Sequence, residues 1–358
     1  MSSAVTRFDY RQLLQWADES LQQAGASGEI ARHVAFYLLE GDLLGYSTHG
    51  LIRLLNNCQW LQQGKSLGKG QPTVVSERAA VAHWDANHLP GPYVVPQAIE
   101  AATAMAKQAG TGTIVIRRSQ HIAALAAYLS LATEQGMVVS LMCSTPGQRA
   151  VAPFGSKQAI FSPNPFALGV PSSGQPLLLD ISFSMTAAGK VRQAKANDVA
   201  LPYQALITEQ GEWTDDPASF FADPPSAIAP LGGQKLGYKG YGLTLFSEIM
   251  TMALSQYGRR QGGNDGDANS VWVQVIDPSA FGPQKAFLQQ VDDMLEDCRQ
   301  ATPIDANEPV RIPGQRALQR KAQQLKQGVA YSAATMKVLQ RCEELVGVTL
   351  PTALSGGA

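Results

Sequence analysis

Ala109-Gly-Thr-Gly-Thr113 is the stretch on which the reading of the fold turns. A dinucleotide-binding domain of the Rossmann kind carries G-x-G-x-x-G between a strand and the helix after it, where the glycines let the backbone approach a pyrophosphate. Here the order is reversed. Pro96–Gln108 places Ile99, Ala102, Met105 and Ala106 at helical spacing, Thr113–Ile116 is a β-branched run, and the third glycine is missing. The stretch is a helix-to-strand turn, and an ordinary Rossmann reading fails. No P-loop replaces it, because no glycine-rich stretch runs into Gly-Lys-Ser/Thr.

Working outward, Ala79–Trp84 and Met137–Cys143 read as further strands and His121–Gln135 as a helix. Beyond Pro146 come short apolar runs at Phe166–Val170 and Leu177–Ile181, then a loop region at Ala200–Asp223. A strongly apolar helix over Gly240–Gln256, a polar loop at 262–267 and a strand at Val271–Ile276 follow. This alternation predicts a layered α/β core. Both ends are helical instead. Phe8–Gly25 comes first, then a helix capped by Ser27 with Ile30, Val34 and Leu38 in its stripe and His33 as a structural or surface histidine. At the far end lie Gln284–Cys298, Gln315–Gln327 and Ser332–Val346. The expected fold class is mixed α/β. Residues 1–72 and 301–358 would form one helical, substrate-side domain, and 73–300 an inserted, non-Rossmann α/β cofactor domain.

The totals exclude several classes. Lys+Arg 28 against Asp+Glu 29 leaves a net charge of −1, without the basic excess of a general nucleic-acid binder. Cys58, Cys143, Cys298 and Cys342 form no C-x-x-C pair, so a disulfide framework or zinc ribbon is not expected and reduced cytoplasmic thiols are. Met1–Arg11 does not resemble a signal peptide, and no apolar run approaches the ~20 residues that span a bilayer. No HExxH or paired His/Cys spacing supports a metal site.

The candidate chemistry begins in Gly41-Asp-Leu-Leu-Gly-Tyr-Ser-Thr-His-Gly-Leu-Ile-Arg53. A helix is expected from His49, capped by Ser47 or Thr48 and stopped by Gly64, with Leu51, Leu54, Leu55, Cys58 and Leu61 as its apolar stripe. His49 and Arg53 then share the opposite face, one turn apart. That face is either solvated surface or a site where arginine forks a carboxylate and histidine moves a proton. His121, opening the helix expected after Thr113–Ile116, would either bond its own backbone or meet a phosphate or polarised ligand atom. Lys239, in Gly237-Tyr-Lys-Gly-Tyr-Gly242 before the next helix, is a flexible turn or a phosphate contact; Arg311 and Arg316, around Ile-Pro-Gly, are a solvated bend or an anion site.

Taken together and in order, these stretches resemble the type-2 malate/lactate dehydrogenase family, which is distinct from the Rossmann-type enzymes of the same names. Ser47-Thr-His-Gly-Leu-Ile-Arg53 is similar to its Asp/His-Ser-His-Gly-x-x-Arg, and Ser119-Gln-His-Ile-Ala-Ala-Leu125 to its Ser-x-His. Pro153-Phe-Gly-Ser156 with Ser162-Pro-Asn-Pro-Phe-Ala167, Asp180-Ile-Ser-Phe-Ser184 with Gly189-Lys190, Lys239-Gly-Tyr-Gly-Leu243, and Arg311-Ile-Pro-Gly-Gln-Arg316 continue the series. The resemblance covers nearly the whole chain.

It implies a dimeric NAD- or NADP-dependent reductase of 2-oxo acids or cyclic 2-imino acids, with NADPH favoured for an imine reductase. Members act on malate, lactate, sulfolactate, ureidoglycolate, diketogulonate, and piperideine- and pyrroline-2-carboxylate. Carried over, His49 is the proton donor, with Thr48 standing where a serine assists it. Lys190 stands where imine-reducing relatives have an acidic residue and other members a lysine. Arg53 holds the substrate carboxylate, with Pro163, Ala188 and Gly189 on the substrate side. The cofactor contacts fall on His121, Ile122, Ala123, Ala124 and Leu125; on Asp180, Ile181 and Ser182; on Tyr238 and Lys239; and on Arg311, Ile312, Pro313, Gly314, Gln315, Arg316 and Ala317. Pro163 replaces a threonine of the imine reductases, removing a hydroxyl and a backbone donor, and Tyr238 replaces a common histidine. Alternatives are a 2-hydroxy-acid dehydrogenase working oxidatively, a non-catalytic cofactor-binding homologue, and a metal-dependent hydrolase using His49 and His121.

Overall fold

A computed structural model of the chain describes residues 5–354. Its main sheet holds β2 (Thr73–Arg78), β3 (Val81–Asp85), β4 (Thr111–Ser119), β5 (Val138–Ser144), β6 (Pro165–Val170), β7 (Leu177–Ser182) and β11 (Asn269–Ile276). The spatial order is β2-β3-β4-β11-β5-β6-β7. β3 and β4 run parallel, and every other neighbouring pair in this sheet is antiparallel. The parallel pair is joined by α4 (Gly91–Ala109), which packs on β4 and β11. This is the place where a dinucleotide fold would receive phosphate, and the chain itself occupies it. A Cβ on Gly91 would lie 2.6 Å from the Gln120 carbonyl and from Ile122 Cγ2. A mixed sheet with a filled helix start accounts physically for the absent glycine fingerprint.

The chain ends meet. β1 (Thr6–Phe8) pairs antiparallel with β12 (Val329–Tyr331). Around them lie α1 (Tyr10–Gln23), α2 (Gly28–Leu44), α3 (Leu54–Gln62), α10 (Gln315–Gln327) and α11 (Ala333–Val346). Asp9, Ser27 and Ser332 cap α1, α2 and α11 by accepting hydrogen bonds from first-turn N–H groups. Trp16 Nε1 donates to the Val348 carbonyl at 3.0 Å, fastening the first helix to the last segment. One hydrophobic core runs from Leu38 and Leu39 of α2 through Ile99 and Tyr128 to Leu141 and Val273 of the sheet, joining the helical ends to the α/β layer.

A smaller lobe stands beside this body. β8 (Leu206–Ile207), β9 (Trp213–Thr214) and β10 (Ala227–Ile228) form a sheet in the order β10-β8-β9. It packs with α6 (Ala188–Ala196) around its own core of Ala150, Val151, Phe161, Val191, Leu206 and Ile228. The loop expected over Ala200–Asp223 is therefore part of a folded unit. Its strands are two residues long, too short for any alternation to register.

The other α-helices of the described residues are α5 (Ser130–Thr133), α7 (Gly233–Glu248), α8 (Arg259–Gly262) and α9 (Gln284–Gln300). Two expectations are corrected here. The apolar helix starts at Gly233, not Gly240, and runs on as a π-helical turn over Ile249–Ala253. Its glycines are demanded by packing, since a Cβ on Gly240 would come within 2.4 Å of the Leu231 carbonyl. Lys239 thus lies inside a helix. The helix expected over His121–Gln135 is instead extended through Ala124, followed by a 3-10 turn at Leu125–Tyr128 and by α5. Ala123 there has φ +57°. Side chains from neighbouring strands take the N–H groups that a helix would have used: Ile122 N donates to Asn269 Oδ1 at 3.0 Å and Ala126 N to Asp180 Oδ2 at 2.9 Å.

Candidate active site

A cleft of about 520 Å³ separates the body from the small lobe. Six segments distant in sequence line it: 46–56, 121–125, 143–148, 162–165, 180–192 and the end of the 262–267 loop with Asn269.

The segment carrying His49 is a turn, not the first turn of a helix. A 3-10 helix spans Leu51–Arg53 and α3 begins at Leu54, with Gly50 before them. Neither Ser47 nor Thr48 caps it. The Leu51 N–H is instead taken by the buried Asp42 carboxylate of α2 at 2.8 Å. Tyr331 donates to the same oxygen at 2.8 Å, and Gln324 Nε2 donates to the Asp42 carbonyl at 2.8 Å. Gly50 is required by this packing, because a Cβ there would fall 1.9 Å from Asp42 Oδ1. Leu51, Leu54, Leu55 and Cys58 are buried as the stripe predicts. The turn leaves the Thr48 hydroxyl free to meet the imidazole, and its Oγ1 lies 2.8 Å from His49 Nδ1. Arg53 Nε donates to the Thr48 carbonyl at 3.2 Å, which draws the three functional side chains into one unit.

His49 and His121 stack with ring centroids 5.6 Å apart and planes 21° from parallel. Burial, and then the nearby Arg53 cation, lower His49 from the ordinary imidazole range to about 4. An unperturbed value near neutrality is therefore not what the open cleft provides; His49 is a neutral imidazole there. His121 is pushed well below the usual value by burial, Arg53 and His49, and its Nδ1 accepts from the Ala123 N–H at 3.1 Å. The Arg53 guanidinium stands 3.7 Å from Asp267, which is 41% exposed. So long and wet a contact is worth little and yields to a better anion. Burial lowers the Arg53 guanidinium, Asp267 raises it, and the Arg192 charge lowers it again.

Next to the two histidines the lining is apolar and small: Ile122, Ala123, Ala124, Leu125, Cys143 and Ile181. Beside it the Asp180 carboxyl accepts from the Ala126 N–H, and burial raises it to about 7. Small apolar side chains beside one buried carboxyl suit a flat aromatic amide, so the residues here fit a nicotinamide.

The lobe supplies the rest. Pro163, Ala188, Gly189 and Lys190 all line the cleft. Gly189 lets α6 close on the turn that carries His49, since a Cβ there would sit 3.2 Å from Thr48 Cβ. The cleft thus brings together His49, Thr48, Arg53, Pro163, Ala188–Lys190, His121–Leu125 and Asp180–Ser182. Tyr238 and Lys239 lie on an exposed face of α7, with Tyr238 against Phe154, and do not line it. Arg311, Ile312, Pro313, Gly314, Gln315, Arg316 and Ala317 do not line it either. They pack behind β7, where the Pro313 carbonyl accepts from Leu178 N at 3.1 Å, and Arg311 pairs with Glu308.

Residues beyond the sequence-based set also reach the cleft, among them Tyr46, Asn56, Thr145, Gln148, Ser162, Asn164, Arg192, Asp267 and Asn269. Asn164 sits beside Pro163 with φ +49°, an arrangement no spacing rule signals. Asn269 bonds both Ile122 N and Thr145 Oγ1, and its role emerges only from strand pairing.

An imidazole, a guanidinium and a run of small apolar residues beside a buried carboxyl share one cleft, a set that fits the hydride-transferring oxidoreductases of small carboxylic acids. The chain belongs to the malate/L-lactate dehydrogenase family, whose profile matches residues 8–340, and it is an oxidoreductase of that family. It is 26% identical over 337 residues to the malate/(S)-sulfolactate dehydrogenase of Methanothermus fervidus, covering 92% of this chain and 95% of that one. The structure of malate dehydrogenase from Pyrococcus horikoshii OT3 superposes with a TM-score of 0.87 at 25% identity, over 97% of each chain. That of delta1-piperideine-2-carboxylate reductase from Pseudomonas syringae pvar. tomato gives 0.82 at 25% identity, over 94% of this chain and 99% of the other. Dehydrogenases of this family depend on nicotinamide cofactors.

Proposed function

We propose that the protein interconverts a 2-hydroxy acid and its 2-oxo acid, or a cyclic 2-imino acid and its amine, with His49 moving the proton and Arg53 holding the carboxylate. The observation that carries this reading is that His49 and Arg53, joined through Thr48, share one cleft with the apolar residues Ile122–Leu125 and with Asp180. A bound nicotinamide supplies or accepts the hydride at the carbon next to the carboxylate. Arg53 releases Asp267 and takes that carboxylate by a two-point contact, aiming the reacting carbon. With its charge matched by an anion, Arg53 no longer opposes protonation of His49, whose proton affinity rises as substrate binds. The hydroxyl of Thr48 fixes the imidazole through Nδ1 and leaves Nε2 to exchange the proton with the substrate oxygen or nitrogen. Lys190, on the lobe, adds positive charge to the same space.

The lowered His49 favours one direction in the open enzyme. A neutral imidazole is ready to accept the proton of a hydroxy acid, so oxidation begins from the resting state, whereas reduction first requires proton uptake. For the cofactor, His121–Leu125 and Asp180–Ser182 would form the nicotinamide wall, and Tyr238, Lys239 and Arg311–Ala317 would meet its remainder. The exposed apolar side chains Leu243, Phe246 and Ile249 of the α7 region support a homodimer. The free thiols of Cys58, Cys143, Cys298 and Cys342 support a reducing, cytoplasmic setting. No helix among the described residues is long and apolar enough to cross a membrane.

The test follows NADH and NADPH absorbance against a panel of 2-oxo acids and cyclic imines. Turnover of at least one pair supports the reading. Turnover of none, with cofactor still bound, favours a non-catalytic cofactor-binding protein.

A further inference from the structure

The cleft holds more positive charge than one carboxylate needs. Arg53, Lys190 and Arg192 all line it, and among the described residues neither Lys190 nor Arg192 has an ion-pair partner. Asp267, the acid near them, is already engaged with Arg53. The other lining carboxyl, Asp180, is committed to the backbone N–H groups of Leu125 and Ala126.

Position on α6 explains how Arg192 reaches this space. Ala188 and Arg192 are one turn apart on the helix and both line the cleft. The start of the same helix is pressed onto Thr48 through the bare face of Gly189. Arg192 is thereby carried over the turn that holds His49, close enough for its charge to act on the Arg53 guanidinium. Two guanidinium groups sharing one cleft repel. A singly charged acid answers Arg53 and leaves Arg192 uncompensated, while an acid with a second anionic group answers both.

We propose that Arg192 is a specificity-determining residue that binds a second anionic group, so that the preferred substrate is a 2-oxo or 2-hydroxy acid bearing a further carboxylate or sulfonate. This rests on the reading of His49 and Arg53 given above. Arg192 is exposed at the rim, so it adds selectivity and not the reaction itself. The same guanidinium chemistry would also suit a cofactor phosphate, and the experiment separates the two.

With cofactor saturating, kcat/KM is measured for oxaloacetate and for pyruvate in the unaltered protein and in Arg192→Gln. The oxaloacetate-to-pyruvate ratio is expected to fall about fivefold in the variant, through KM for oxaloacetate, the size of one partly exposed ion pair. An unchanged ratio, or a rise in the cofactor KM in place of the substrate KM, overturns the assignment. A second readout needs no turnover. With reduced cofactor present, malate should raise Tm more than lactate does in the unaltered protein, and this difference should vanish in Arg192→Gln. If the difference vanishes while neither oxo acid is reduced, Arg192 stands and the catalytic reading falls. If it persists in the variant while turnover is normal, Arg192 falls and the catalytic reading stands.

Discussion

The two walls of the cleft are built differently. The body wall is tied down: the His49 turn is held by Asp42, which is held by Tyr331, and the His121 loop is held by Asn269 and Asp180. The lobe wall ends in exposed side chains, Lys190 and Arg192, that have no ion-pair partner among the described residues. Fixed groups suit bond-making, where a small displacement is costly, and loose charged groups suit recognition, where different acids must be told apart. On the proposal made above, chemistry and selectivity fall to separate structural layers.

Substitutions on the body wall should sharpen that contrast. Arg53→Lys retains the charge and loses the fork, so KM for the acid should rise on the order of 10–100-fold with a smaller change in kcat. Steady-state kinetics checks it; an unchanged KM would remove Arg53 from the carboxylate site. The pH profile comes next. His49 is depressed in the free enzyme to about 4. Oxidation, which needs the neutral ring, should keep its kcat/KM level down through about pH 5 and lose it only as pH approaches the His49 value. Reduction, which needs the protonated ring, should lose kcat/KM as pH rises, by about tenfold per unit in the limit. Profiles of the two directions that coincide would break the assignment. The smallest effect is expected at Thr48→Val, about tenfold or less in turnover, the worth of one hydrogen bond to the ring. A variant as fast as the unaltered protein would leave Thr48 a spacer.

Much of the body wall was legible in the amino-acid order. Ser47–Arg53, Ser119–Leu125 and Asp180–Ser182 carry their residue types in short compact strings, the first at a turn between helices and the other two at strand ends, and all three meet at the cleft. The local form of two of them was not legible. Helical spacing around His49 and after His121 is real, but Asp42, Asn269 and Asp180 reach in from other elements and capture the backbone. Side chains that are neighbours only in space override a local preference. Arg192 and Asp267 were not legible for a related reason. A charged residue in a short helix or a polar loop reads as solvated surface until the opposite wall is known. The strings at Tyr238–Lys239 and Arg311–Ala317 show the converse, since they resemble the family as closely yet stand outside the cleft.

The central claim is that His49 carries the proton while leaving the cofactor alone, and His49→Ala tests it most directly. Turnover of the best 2-oxo acid and the dissociation constant for reduced cofactor should be measured on the same preparation. The account predicts a loss on the order of 10²–10⁴ in kcat with cofactor affinity nearly unchanged. Full turnover in the variant would contradict it.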